Sequence, residues 1–96
     1  LTQTITYSLA VENSREGLAV IVDLRLADDR DINPVPGGTI IVPEQSDSHE
    51  WNHLTPLLES LEGTPVYIIF PPRGEHPAYF KLRSLGLDLW SVEMPR

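Results

Sequence analysis

Large apolar side chains recur at every second position in two runs near the start of the chain. The first run covers residues 4–11 and the second covers residues 18–27. A period of two is typical of a half-buried β-strand. The residues between the runs, 12–17, are turn-forming and end in a glycine. The two runs therefore predict an antiparallel β-hairpin with one face open to water.

A loop is predicted next, because residues 28–38 contain two prolines and two glycines. Beyond this loop the pattern changes to short apolar runs. Residues 39–43 and 65–70 are almost continuously apolar, as expected for buried strands, and residues 87–94 are predicted as a further strand.

Helical spacing of apolar residues separates these three strands. Residues 48–62 and 78–85 have this spacing, and the glycines that follow them, Gly63 and Gly86, are typical helix stop signals. The predicted fold is therefore α/β: an N-terminal antiparallel β-hairpin followed by a βαβαβ unit, in a five-stranded mixed sheet. If consecutive strands are neighbours, the two helices lie on one face of the sheet. The opposite face would then be covered only by side chains or by a partner.

The composition is that of an ordinary soluble domain, with 41% hydrophobic and 22% charged residues. The net charge of −7 argues against nucleic-acid binding, which needs clustered basic side chains. The absence of cysteine excludes disulfides, thiolate zinc sites and cysteine nucleophiles. No apolar run approaches the roughly 18–20 residues of a membrane span, and no signal peptide is visible. We expect no membrane association, and a cytoplasmic location by default.

The length of 96 residues suits a single domain over residues 1–96. A core of this size gives marginal stability, which a partner or a larger parent protein would raise. The chain begins at Leu1 without an initiator methionine, so we expect either a processed product or a piece of a longer protein.

The segment His49-Glu50-Trp51-Asn52-His53 reads H-E-x-x-H and resembles the motif of zinc metalloproteases. Residues four apart on a helix lie on the same face, so two imidazoles can bind one Zn²⁺. The resemblance implies that His49 and His53 are metal ligands and that Glu50 is the catalytic base. His76 is a candidate third ligand, because it follows the next strand, and the carboxyl ends of parallel strands share one edge. Other candidates are Glu75 and, less suitably because they follow on the same helix, Glu59 and Glu62.

The same residues have a competing, purely structural interpretation. Asp47 and Glu50 fit a capping box, in which Asp47 caps the helix and Glu50 reaches back to its N–H. Pro56 would disrupt a continuous helix at a cost of ~3 kcal/mol or more. An alternative helix start is Thr55, with Pro56 at the favoured first position.

The leading functional hypothesis from sequence is a non-catalytic binding or regulatory module that associates with a protein partner or with itself and needs no cofactor. The alternative is a zinc-dependent hydrolase built on residues 49–53. A third, weaker hypothesis is a receptor for a small anion at the loop that contains Arg73.

Overall fold

A computed structural model describes residues 3–37, 40–41, 49–71 and 76–95, without the side chains of residues 41, 49–51 and 77. The strands are β1 (Thr4–Thr6), β2 (Val20–Asp23), β3 (Ile40–Ile41), β4 (Pro65–Ile69) and β5 (Asp88–Glu93). The helices are α1 (Tyr7–Arg15), α2 (Ala27–Ile32), α3 (His49–Glu59) and α4 (Pro77–Ser84). The fold is therefore α/β, as predicted.

The strands form one sheet in the order β1-β5-β4-β2-β3, and every strand pair that the structure describes is parallel. The predicted antiparallel hairpin, and the mixed five-stranded sheet based on it, are wrong. The chain forms strand β1 for only three residues and then helix α1, which connects it to β2. Strands β1 and β2 are not even neighbours, since β5 and β4 lie between them.

Helix α1 forms because residues 6–14 also satisfy the rules for a helix. The side chain of Thr6 accepts a hydrogen bond from the N–H of Leu9 at 3.4 Å and so caps the first turn. Ala10 is fully buried, and Tyr7 and Val11, three residues before it and one after it, pack against the same cluster. Leu9, which the strand prediction placed on the apolar face, is 48% exposed.

The predicted loop over residues 28–38 contains a helix at its start. Two acidic residues, Asp28 and Asp29, lie in the first turn of α2, and Arg30 lies in its last turn. This arrangement of charges favours the helix dipole. The prolines at positions 34 and 36 follow the helix and do not interrupt it.

Both faces of the sheet are covered. Leu58 of α3 and Leu82 of α4 pack in one buried cluster with Val66 and Ile68 of β4. Ala10 of α1 belongs to the other cluster, which lies on the opposite face. The two helices predicted from apolar spacing thus share a face. The expectation that the opposite face lacks a covering helix is wrong, because α1 covers it.

Helix α3 runs through Pro56 without a break. The interpretation that Thr55 caps a separate helix is therefore wrong. Pro56 is exposed and lies in the last turns, where its missing N–H disrupts only a short stretch of helix. None of the described helices has the length and apolar character needed to cross a membrane, and the longest, α3, has 11 residues.

Candidate functional site

Strands β2 and β4 are neighbours, but the chain leaves them toward opposite faces of the sheet. After β4 it enters α4, whose Ala78 and Leu82 pack in the α3–α4 cluster. After β2 it passes through α2 to Val35, which packs against the cluster beneath α1. In open parallel sheets, ligands bind outside the carboxyl ends of strands where the connections diverge in this way. The strand order therefore favours a binding site at the carboxyl edge of the sheet.

A buried ion pair lies at the end of β2. Arg25 donates to Asp23 through Nε, 3.0 Å from Oδ1, and through Nη2, 2.9 Å from Oδ2. The backbone N–H of Arg25 also donates to Oδ1 of Asp23 at 3.0 Å. Asp23 is 2% exposed and Arg25 is 7% exposed. Both carboxylate oxygens of Asp23 therefore accept hydrogen bonds from Arg25. The bond from the backbone N–H of Arg25 closes a local turn, and this turn ends strand β2.

The same arginine fixes the position of helix α2. Nη2 of Arg25 donates to the carbonyl oxygen of Asn33 at 2.8 Å, just after the helix. In return, Nη1 of Arg30 donates to the carbonyl oxygen of Arg25 at 3.0 Å. None of the six residues of α2, all of which are described, is buried. Its placement therefore depends on these polar contacts rather than on a hydrophobic face.

The charge of Arg25 persists over the whole ordinary pH range. The side-chain hydrogen bonds with Asp23 raise the pKa of Arg25 above its usual value, and burial opposes them. The charges of Asp23, Tyr7 and Asp29 raise this pKa further. Because the pKa of Arg25 is raised in the folded state, the stabilisation from its charge is present throughout the ordinary pH range and is lost only in strongly alkaline solution. The charge of Arg25 is therefore a constant structural element.

An open cleft of about 430 Å³ lies at the same carboxyl edge of the sheet, between the end of α2 and the residues that follow β1 and β5. A second cleft of about 280 Å³ adjoins it and shares three of its lining residues. The first cleft is lined by Tyr7, Ile32, Asn33, Pro34, Met94 and Pro95. The second is lined by Thr6, Tyr7, Ser8, Glu93, Met94 and Pro95. We call the two together the edge cleft.

Three separate segments meet at the edge cleft, each leaving a carboxyl end of the sheet. Tyr7 follows β1, Met94 follows β5, and Ile32 lies at the end of α2 after β2. Ile32 is 74% exposed and Met94 is 36% exposed, so large apolar side chains face water here. Hydrogen bonds from Arg25 and Arg30 hold the two ends of α2, and Ile32 is the last residue of this helix.

The structure places the two histidines of the H-E-x-x-H segment one turn apart on α3. His53 is exposed. The side chains of His49 and Glu50 lie outside the described part, so their predicted roles as metal ligand and catalytic base stay predictions. The predicted cap at Asp47 and the predicted anion site at Arg73 also fall outside the described residues.

His76 has a role in local structure. It caps α4, and its Nδ1 accepts a hydrogen bond from the N–H of Ala78 at 3.0 Å. This nitrogen is therefore not free to bind a metal in this geometry. Among the described side chains, no group of three or more His, Cys, Asp or Glu residues is placed to hold a metal ion. His49 and Glu50 are outside that set.

The residues that form the edge cleft and its support were not singled out by sequence reasoning. The strand predicted over residues 18–27 has Asp23 and Arg25 among the positions that alternate with its large apolar side chains. A usable signal was present, because Asp23 directly follows the apolar run Val20–Val22 and Arg25 comes two residues later. An acidic residue at the carboxyl end of a buried strand is costly unless it is paired.

Comparisons of this chain with protein-family models, with curated proteins and with solved structures found no match.

Proposed function

We propose that this domain is a non-catalytic protein-binding module and that its binding surface is the edge cleft. The observation that carries the proposal is the 74% exposure of Ile32 on a helix fixed by a buried ion pair. A large apolar side chain that is exposed to water beside other exposed apolar side chains favours association with another apolar surface. Tyr7 and Met94, which line the same cleft, extend this surface.

A protein surface fits the cleft better than a small molecule does. Pockets for small ligands bury most of the ligand's surface. Here Ile32, Pro34, Met94 and Pro95 are all exposed, so the walls are low. A protein segment can cover such a surface over a wide area, whereas a small molecule would remain largely in water.

The buried ion pair that is linked to Asn33 of the cleft supports a non-catalytic role. Catalytic acids and bases need a free lone pair or a transferable proton near the substrate. Both oxygens of Asp23 accept hydrogen bonds from Arg25, which keeps its positive charge. The chain contains no cysteine to act as a nucleophile.

Site-specific photo-cross-linking tests this proposal. A benzophenone amino acid replaces either Ile32 or Leu18, and each protein is irradiated in an extract of its own cells. Leu18 is a matched control, since it is 59% exposed and lies near the amino end of β2, at the opposite edge of the sheet. We expect a discrete cross-linked protein from position 32 and none from position 18.

The captured protein, once purified, should bind the unmodified domain. Replacing Ile32 with Glu should weaken this binding roughly tenfold or more, as expected for a central apolar contact. A captured second copy of this chain would identify self-association as the partner. The proposal is wrong if position 32 captures no more than position 18 does.

A second candidate is a zinc-dependent hydrolase, which is favoured by one observation. Positions 49 and 53 lie on one continuous helix, at the spacing that two zinc-binding histidines need. His76 does not supply Nδ1 as the third ligand, because that atom caps α4. A third ligand would have to come from elsewhere in the chain.

The zinc content of protein purified without chelator separates the two candidates. For a binding module we expect less than about a tenth of an equivalent, whereas a zincin-type site holds one ion per chain. The His49→Ala variant serves as the control. Zinc near one equivalent that disappears in this variant would establish the metal site and reject the non-catalytic assignment.

A further inference from the structure

The carboxylates near the edge cleft bear on what kind of segment it binds. Glu93 lines the cleft directly. Asp28 and Asp31 lie on α2, four residues and one residue before Ile32, and both are exposed. Residues four apart on a helix share a face, so Asp28 lies on the same side of α2 as Ile32. The apolar floor therefore has acidic side chains at both ends.

Among the described residues, acidic side chains outnumber basic ones around the edge cleft. Arg25 is paired with Asp23. Arg30 donates Nη1 to the carbonyl oxygen of Arg25 and keeps its charge, so it offsets one of the three aspartates of α2. Lys81 and Arg83 are on α4, which packs on the other face of the sheet. In the part of the chain that the structure describes, the edge cleft thus combines exposed apolar side chains with a net negative charge.

We propose that the occupant of the edge cleft is a short segment of a partner protein in which apolar side chains are flanked by lysine or arginine. This inference rests on the proposed binding function and adds the chemistry of the partner. The apolar side chains pack on Ile32, Tyr7 and Met94. The basic side chains face Glu93 at one end and Asp28 and Asp31 at the other.

The polar groups of the cleft suit an extended peptide. Such a peptide has unpaired backbone N–H and C=O groups that need partners when it binds. The side-chain amide of Asn33 and the hydroxyl of Ser8 both line the cleft and are exposed. They can exchange hydrogen bonds with the backbone of the bound segment.

Three sets of synthetic peptides test the inference on the whole chain. The first set has Leu, Ile, Met or Phe at its centre and Lys or Arg on both sides. The second keeps the apolar centre but has Asp or Glu on both sides. The third keeps the basic flanks but has Ser or Asn at its centre. Binding is measured by fluorescence anisotropy and by the methyl NMR signals of Ile32 and Met94.

We expect only the first set to bind and to shift both methyl signals. The triple variant Asp28→Asn, Asp31→Asn, Glu93→Gln removes the three carboxylates near the cleft. It should bind these peptides about threefold to tenfold more weakly, given the usual strength of exposed ion pairs. A matched control removes the same charge elsewhere through Glu16→Gln, Glu59→Gln and Glu62→Gln, at exposed positions outside the cleft. The control should bind as the unmodified protein does.

Other outcomes overturn the inference. Equal binding of the first two sets would show that flanking charge does not matter, and equal binding of the first and third would show that only charge matters. If both triple variants lost the same affinity for the peptides, the effect would come from the net charge of the whole protein and not from these three carboxylates. No binding by any set would remove this partner class, but the proposed binding function would stand if position 32 still cross-links a protein.

Discussion

The Asp23→Ala variant should lose about 3–5 kcal/mol of its free energy of unfolding, which is the usual effect of removing one partner from a buried ion pair. Arg25, which is only 7% exposed, would keep its charge and would lose its hydrogen-bonded countercharge. The turn made by the Arg25 N–H on Asp23 would also be lost. Since a domain of this size is stable by only about 5–14 kcal/mol, urea unfolding followed by circular dichroism should show the change clearly.

Two variants serve as controls for this prediction. Asp31→Ala removes an exposed carboxylate from α2 and should change the stability by no more than about 0.5 kcal/mol. The double variant Asp23→Leu, Arg25→Met removes both charges together and should be more stable than Asp23→Ala. If Asp23→Ala lost less than about 1 kcal/mol, the ion pair would not be the main anchor of this edge.

The ion pair also links stability to the proposed function. Arg25 is hydrogen-bonded to the carbonyl oxygen of Asn33, which lines the edge cleft. Releasing Arg25 from Asp23 frees α2, and Ile32 loses its fixed position. We therefore expect Asp23→Ala to bind the partner more weakly even where the protein remains folded.

The C-terminal half of the fold could be predicted closely from sequence. The apolar run at 65–70 became β4, and the helical spacing at 78–85 became α4. Gly86 has a φ of 70°, which is the left-handed conformation expected where a helix stops. These elements follow their local patterns because they are buried in the cluster that Leu82 and Val66 share.

The N-terminal hairpin was mispredicted because the pattern of its first strand fits two structures, whereas the second predicted strand contains β2. Alternation at Ile5, Tyr7, Leu9 and Val11 satisfies a strand, but Tyr7, Ala10 and Val11 satisfy a helix equally well. The choice depends on contacts that are distant in sequence. Strand β1 pairs with β5, and Ile5 lies opposite Val92, so the first strand needs the last one. A prediction made from neighbouring residues alone cannot include the pairing of β1 with β5.

The candidate site was harder to predict than the fold. The sequence drew attention to histidines, because their spacing resembles a known motif. The edge cleft instead depends on Tyr7, Ile32 and Met94, which come together only through the strand order. Strands β1 and β5 are adjacent although they lie at opposite ends of the chain, and this adjacency places Tyr7 beside Met94.

The Leu58→Ala variant should lose about 2–5 kcal/mol, the range found for large-to-small substitutions in protein cores. Leu58 is 0% exposed and belongs to the cluster that joins α3 to the sheet with Val66 and Leu82. The side chains around Leu58 cannot all move into the cavity. The strands are held by their backbone hydrogen bonds, and α4 is held by its own packing on the sheet through Leu82. The measurement is again equilibrium unfolding in urea.

Leu57→Ala is the matched control, because it makes the same chemical change at the adjacent position of the same helix. Leu57 is 47% exposed, so it loses little buried surface, and we expect a change below about 1 kcal/mol. Leucine and alanine are both good helix formers, so helix propensity contributes little to either variant. The difference between the two therefore measures the packing of α3 on the sheet. Equal losses would mean that α3 does not dock through Leu58.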